Sequence, residues 1–255
     1  MARIISFVNQ KGGVGKSTSV LNVGAFLAAY GKYVLVVDLD PQANATSGLG
    51  VGSKNGEWNL YHVLTTGLLP EEVIQKTGVF GLDLLPAHPD LAGASVELVT
   101  QPEREFKLYH ALRRIRTNYD YILIDSPPSL GILTINGLVA ADSIIIPVQC
   151  EYYALEGLSH LLRTVELVKT NLGRDINVLG AVLTMYDRRS RLNRSVLKEM
   201  HLNFPGRVFN AVIPRVVSLA EAPSYGKTIL HYDPTSKGAK AYRQLAEEII
   251  ALENL

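Results

Sequence analysis

The chain has 255 residues, 47% of them hydrophobic, and a formal net charge of +1. That is enough apolar material for a large α/β domain, and no global field draws the protein to nucleic acid or membrane, so any such attraction must be local. A single cysteine, Cys150, excludes an intrachain disulfide and any all-cysteine cluster within one chain, and fits a small buried side chain in a reducing compartment. No apolar run approaches the roughly 20 residues of a membrane span. The first strand starts at once, leaving no signal-peptide pattern and no room for an N-terminal helix-turn-helix, so a cytoplasmic protein is expected.

Ile4, Ile5, Phe7 and Val8 have the length and branching of a buried strand, which breaks into Gln10-Lys11-Gly12-Gly13-Val14-Gly15-Lys16-Ser17-Thr18. Glycines there permit backbone conformations closed to other residues, so successive N–H groups can wrap an anion at the start of a helix. Lys16 is placed to reach the β- and γ-phosphates of a nucleotide and Ser17 to hold Mg²⁺. The strict phosphate-loop pattern fails, because Gln10 stands where its first glycine belongs and Lys11 adds a second lysine.

Val20, Leu21, Val23, Gly24, Leu27 and Ala28 continue at helical spacing to a cap at Gly31. Tyr33 to Val37 is a continuous apolar strand, and Asp38-Leu39-Asp40-Pro41-Gln42-Ala43-Asn44-Ala45-Thr46 leaves the sheet at its carboxyl end, where open α/β sheets place ligand chemistry. Residues 47 to 81 predict only short helices near Leu60 to Leu64 and Pro70 to Gln75. A strand at Leu82 to Leu85, a helix over Pro102 to Arg116 and a strand Tyr119 to Asp125 follow. Asp125 ends that strand as a carboxylate that orders Mg²⁺, directly or through water. A helix at Leu130 to Ala141, strands at Ser143 to Val148, Asn177 to Leu183 and Val208 to Ile213, and helices at Leu155 to Thr170 and Ser236 to Glu253 complete the pattern. Alternation without repeats or linkers predicts one doubly wound α/β domain over residues 1–255, a mostly parallel sheet flanked by helices.

Between residues 188 and 215 the chain carries Arg188, Arg189, Arg191, Arg194, Lys198, Arg207 and Arg215 against the single acid Glu199. In a near-neutral protein that local excess marks a candidate DNA surface, to which Lys237, Lys240 and Arg243 of the last helix add a weaker hint. The tail from Glu247 to Glu253 is acidic on its polar face, which anionic lipid repels, and its stripe Tyr242, Leu245, Ala246, Ile249 and Ile250 reads as a helix docked on its own core.

Lys11-Gly-Gly-Val-Gly-Lys-Ser17 resembles the deviant Walker A motif of the ParA/MinD family of ATPases. Further segments, Asp38 to Thr46, Glu151-Tyr-Tyr-Ala-Leu-Glu-Gly157, Thr184-Met-Tyr-Asp187, Ile213-Pro-Arg215 and Leu219 to Lys227, are similar to chromosomal ParA (Soj-type) members in family order over nearly the whole chain. The resemblance implies catalytic roles for Lys11, which reaches the partner subunit's nucleotide, for Lys16, and for Asp40, which orients the attacking water. It implies ATP contacts from residues 11 to 18 and from Pro214 and Val216 at the adenine, and a Mg²⁺ site built on Ser17 and Asp125 with Asp38 nearby. It further implies an ATP-dependent homodimer that binds double-stranded DNA nonspecifically through Arg188, Arg189, Arg191, Arg194 and Arg215, sits on the nucleoid, and is released when a ParB-type partner stimulates hydrolysis. Val216 and Ser218 depart from the family's Asn and Arg, so the base contact at Val216 falls to the main chain.

Overall fold

One eight-stranded sheet carries the molecule; it belongs to a computed structural model that describes residues 1–52, 58–151 and 154–252. From the amino end, β1 (Arg3–Phe7) leads into α1 (Lys16–Ala29), β2 (Val34–Asp38), α2 (Asn44–Gly48) and α3 (Leu60–Thr65). Next come β3 (Gln75–Lys76), β4 (Leu82–Leu85), α4 (Leu91–Glu97), α5 (Lys107–Ile115), β5 (Tyr121–Asp125) and α6 (Ile132–Ala140). β6 (Ser143–Gln149), α7 (Ala154–Leu172), β7 (Asn177–Tyr186), α8 (Arg191–Asn203) and β8 (Val208–Pro214) precede the closing helices α9 (Val217–Glu221), α10 (Ile229–Tyr232) and α11 (Lys237–Ala251).

The strand order is β3-β4-β2-β5-β1-β6-β7-β8, parallel throughout except for the antiparallel edge pair β3 and β4. β2 and β5 are buried along their whole length, which is why they read as unbroken apolar runs rather than as alternation. Alternate side chains still separate the two faces. Ile5, Phe7, Val34, Val36 and Leu123 pack with Val20, Val23 and Leu27 of α1 and with Tyr242, Leu245 and Ile249 of α11. On the other face Ile4, Leu35, Val37, Ile122 and Ile124 lie among α3, α4 and α5, while Ile144, Ile146, Val148 and Leu183 lie among α6, α7 and α8. The apolar stripe of the last helix is therefore core.

Several expected elements shift. The helix over Pro102 to Arg116 is interrupted, because Glu103 adopts a left-handed φ of 50°; a single 3₁₀ turn at Arg104–Phe106 follows, and α5 begins at Lys107. The Pro70 to Gln75 segment is a 3₁₀ turn, Pro70–Glu72, leading into β3, whose pairing with β4 the sequence did not signal. α2, α4, α8, α9 and α10 form where the sequence predicts no helix. In α8 the buried Asn193, Val196 and Met200 mark the inner face, but the intervening charges mask that spacing. The expected helix end at Glu253 and the tyrosines Tyr152 and Tyr153 lie outside the described residues.

At one glycine close packing leaves no choice of residue. Gly226 has φ 61°, and a β-carbon there would stand 2.6 Å from the Gly50 Cα, backbone against backbone. Gly226→Ala should therefore lower unfolding stability by at least about 1 kcal/mol, from the left-handed conformation alone. Urea denaturation checks this, and an unchanged midpoint would show that the contact yields without cost.

Candidate functional site

β1 stops at Phe7, and the chain then builds a loop held by its own side chains. The Asn9 amide donates to the Pro147 carbonyl at 2.8 Å, and its oxygen accepts the Lys11 backbone N–H at 3.0 Å, tying the loop to β6. Gly15, at φ 87°, is the left-handed residue before α1, and no side chain caps the helix. The first-turn N–H groups of this 14-residue helix are thus left to an anion, with the positive end of its dipole behind them.

Gly12, Gly13, Gly15, Lys16, Ser17 and Thr18 line a cavity of 370 Å³ together with Asp40, Gln42, Asn44, Pro128 and Met185. Lys16 is only 6% exposed, and its ammonium donates to the Lys11 carbonyl at 3.2 Å. Burial holds its pKa below the ordinary lysine value, against the opposing pull of the Asp125 and Asp40 carboxylates. Val14 differs from its neighbours: its side chain is buried and its carbonyl accepts the Thr184 hydroxyl at 2.8 Å.

Parallel pairing sets Asp38 directly opposite Asp125, with Phe7 on the other side of Asp125. Both carboxylates are fully buried. Asp38 is satisfied by the chain: one oxygen accepts the Thr46 N–H and hydroxyl, each at 2.7 Å, and the other accepts the Asp40 N–H at 3.2 Å. Burial still pushes its pKa up to about 6. Neither oxygen of Asp125 has a well-aligned hydrogen-bond partner. Its pKa is driven well above the carboxylate range by burial and then by the Asp38 charge, while the Ser17 hydroxyl and the Lys16 ammonium act in the opposite sense. A buried carboxylate with both oxygens free, beside a serine hydroxyl, suits a hard cation such as Mg²⁺ that shares few protein ligands and keeps waters and phosphate oxygens. No group of three or more His, Cys, Asp or Glu that could hold a metal occurs among the described residues.

A second cavity of 260 Å³ shares Gly15, Thr18 and Met185 with the first and is otherwise lined by Thr184, Ile213, Pro214, Arg215, Val216, Leu219, Ala220 and Tyr242. One is the size and polarity for phosphates, the other apolar enough for a base. Pro214 and Val216 both line this second cavity. Arg215 lines this base-sized cavity, and its N–H donates to the Tyr186 carbonyl at 3.1 Å, two residues before Arg188. The other four, Arg188, Arg189, Arg191 and Arg194, are exposed, and Arg189 pairs with Asp187 at 3.3 Å. Arg191, Arg194 and Lys198 share the outer face of α8.

Lys11 forms an ion pair with Glu151 of its own chain, the side chains 55% and 46% exposed. Residues that sequence reasoning missed are the packing polar groups Asn9 and Asn193 and the cavity residue Met185, which has a left-handed φ of 52°. No residue-type pattern gives such positions a role; Met185 lies in the Thr184-Met-Tyr-Asp187 segment, beyond the strand expected to end at Leu183, with nothing in it to mark a left-handed backbone.

An α/β domain with a phosphate loop, two buried carboxylates and an adjoining base cavity defines a P-loop nucleotide-binding protein. A family model described as AAA domain matches residues 2–178. The chain is 53% identical over 251 residues to the sporulation initiation inhibitor protein Soj of Bacillus subtilis, covering 98% of this chain and 99% of that protein. It is 48% identical over 250 residues to the chromosome partitioning protein ParA of Myxococcus xanthus, covering 98% and 88%. Among solved structures, cobyrinic acid a,c-diamide synthase from Mycobacterium smegmatis with bound ADP and magnesium superposes with a TM-score of 0.88 at 37% identity, covering 100% of this chain and 96% of the other. The chain belongs to the Soj/ParA family of P-loop ATPases.

The loop assignment makes a direct demand. Lys16→Ala should leave the fold intact and abolish ATP binding or turnover, measured by fluorescent-nucleotide titration and phosphate release. Wild-type turnover in a folded variant would overturn it.

Proposed function

We propose that this chain is a DNA-partitioning ATPase. Its ATP-bound homodimer holds duplex DNA without sequence preference, and hydrolysis, stimulated by a ParB-type partner, releases it. The observation that carries the reading is one chain with both a phosphate loop over buried carboxylates and an exposed basic helix face beyond it, in a family whose members carry partitioning names. The ATPase reaction is that of the family, ATP and water giving ADP and phosphate.

In this reading the first-turn N–H groups and Lys16 cradle the phosphates. Ser17 and Asp125 hold Mg²⁺, which would neutralise charge on the phosphate oxygens. Asp38 fixes Thr46 and so shapes the loop that presents Asp40, whose carboxylate faces the phosphate cavity and orients the attacking water. Lys11 must leave Glu151 to reach a partner's nucleotide. An ion pair so exposed contributes only about 0 to 1 kcal/mol, so releasing it costs little.

The apolar residues of α11 are spent on the core, and no described helix is long and apolar enough to cross a bilayer. A small-molecule ligase is the rival favoured by the diamide synthase likeness. It requires ATP turnover raised by a small molecule without DNA, whereas the partition reading requires turnover raised by DNA with the partner protein.

Two variants divide the cycle. Asp40→Ala should bind ATP and accumulate as a dimer on gel filtration with ATP and Mg²⁺, while Lys11→Ala should remain a monomer. A monomeric Asp40→Ala at saturating nucleotide would remove the water-orienting role.

The DNA surface is tested by salt titration. Each phosphate neutralised contributes about 0.9 to the slope of log affinity against log salt, and dimerisation doubles the contacts available to one chain. Arg189→Glu should weaken DNA retention on all sequences alike and flatten that slope, with ATP-dependent dimerisation unchanged. Wild-type retention across the titration, or binding without ATP, would count against the surface.

A further inference from the structure

Asn193 sits on the inner face of α8, 9% exposed, and its side-chain amide bonds two different strand ends at once. The nitrogen donates to the Cys150 carbonyl at 2.7 Å, just past β6, and the oxygen accepts the Asp187 N–H at 2.7 Å, just past β7. The β7 end lines the nucleotide cavities through Thr184 and Met185, and the β6 end is bonded to it. The Cys150 N–H donates to the Thr184 carbonyl at 3.2 Å, and the Thr184 hydroxyl donates to the Val14 carbonyl inside the phosphate loop. Met185, the next residue, lines both cavities in a left-handed conformation that its β-carbon disfavours. Beyond it, the Tyr186 carbonyl accepts the N–H of Arg215, another residue of the base cavity.

Val196 and Met200 also anchor α8, but apolar contacts tolerate sliding and rotation. The two bonds of Asn193 are directional and short, and together with the Ser190 cap at 3.2 Å they fix the advance and rotation of the helix start. Arg191, Arg194 and Lys198 project from the opposite side of that turn and the next.

We propose that Asn193 is a positioning residue that ties the basic face of α8 to the strand end lining the nucleotide cavities, so that occupancy of those cavities sets where the basic face stands. The proposal rests on the partition reading for its DNA arm alone.

Hydrogen exchange of the full chain with Mg²⁺ and a non-hydrolysable ATP analogue tests it. In wild type the analogue should slow exchange in residues 9–18 and alter it in residues 187–203. In Asn193→Ala the first response should persist and the second disappear. Met200→Ala, which weakens α8 without touching the amide bonds, should raise exchange in the helix generally and keep the nucleotide response. Should Asn193→Ala not fold, Asn193→Asp, which keeps the acceptor for Asp187 and loses the donor to Cys150, carries the same comparison. A wild-type helix indifferent to nucleotide, an Asn193 variant that still responds, or a Met200→Ala that loses the response equally would each overturn the proposal.

On DNA, Asn193→Ala should retain duplex about tenfold more weakly, the scale of one buried polar pair broken, with turnover in the absence of DNA unchanged. Equal retention by the two proteins would refute the coupling. Wild type that binds no DNA would instead refute the partition reading and leave the exchange result to decide the role of Asn193.

Discussion

Parallel register places two acids side by side in the interior, and much of the site is a response to that. Asp125 lies between Phe7 and Asp38 because β5 pairs with β1 and β2 in step to their last residues. A buried carboxylate needs compensation by hydrogen bonds, a cation or a proton. Asp38 obtains three hydrogen bonds from the loop that follows it, which folds that loop back over the sheet. Asp125 obtains none that is well aligned, and the groups nearest to helping it, Lys16 and Ser17, belong to the phosphate loop. Burial lowers the pKa of Lys16 and raises that of Asp125, and a cation with a polyphosphate in the cavity would offset the charge penalty of both.

The same strand ends explain how a phosphate cavity and a base cavity come to adjoin. β7 runs past β6 to Tyr186, which pairs with Pro214 at the end of β8, and at Met185 the backbone turns into a left-handed residue, putting that side chain at the junction of the two spaces. β8 delivers Pro214 to the far wall, and Tyr242 of α11, bonded to Ser19 of α1 at 3.2 Å, closes the floor. Elements distant in sequence meet there because the sheet ends there.

Much of this was legible in the residues. Continuous apolar runs located the central strands, since strands covered on both faces have no polar side to interrupt them. The glycines, lysines and hydroxyl between β1 and α1 located the phosphate loop, and Asp38, Asp40 and Asp125 were found because they follow such runs. What escaped was set by tertiary contact. α8 carries so many charges outside that its three inner residues do not stand out. Asn9 and Asn193 look like ordinary loop or helix asparagines until their partners, over a hundred and about forty residues away, are brought beside them. β3 exists because β4 offers an edge, and the late start of α5 turns on the backbone of Glu103.

The sheet also partitions the interior. α1, which opens the phosphate loop, is packed on one face with α11, whereas Val196, Met200 and Phe204 of α8 and its following turn are packed on the other with α6 and α7. The two helices share no apolar neighbours in these clusters, so a change of side-chain volume under one does not propagate through packing to the other. Nucleotide handling and the outward basic face are therefore separable in sequence. The outer surface of α8 can be recharged without repacking α1, provided the polar link around the rim of the sheet is kept.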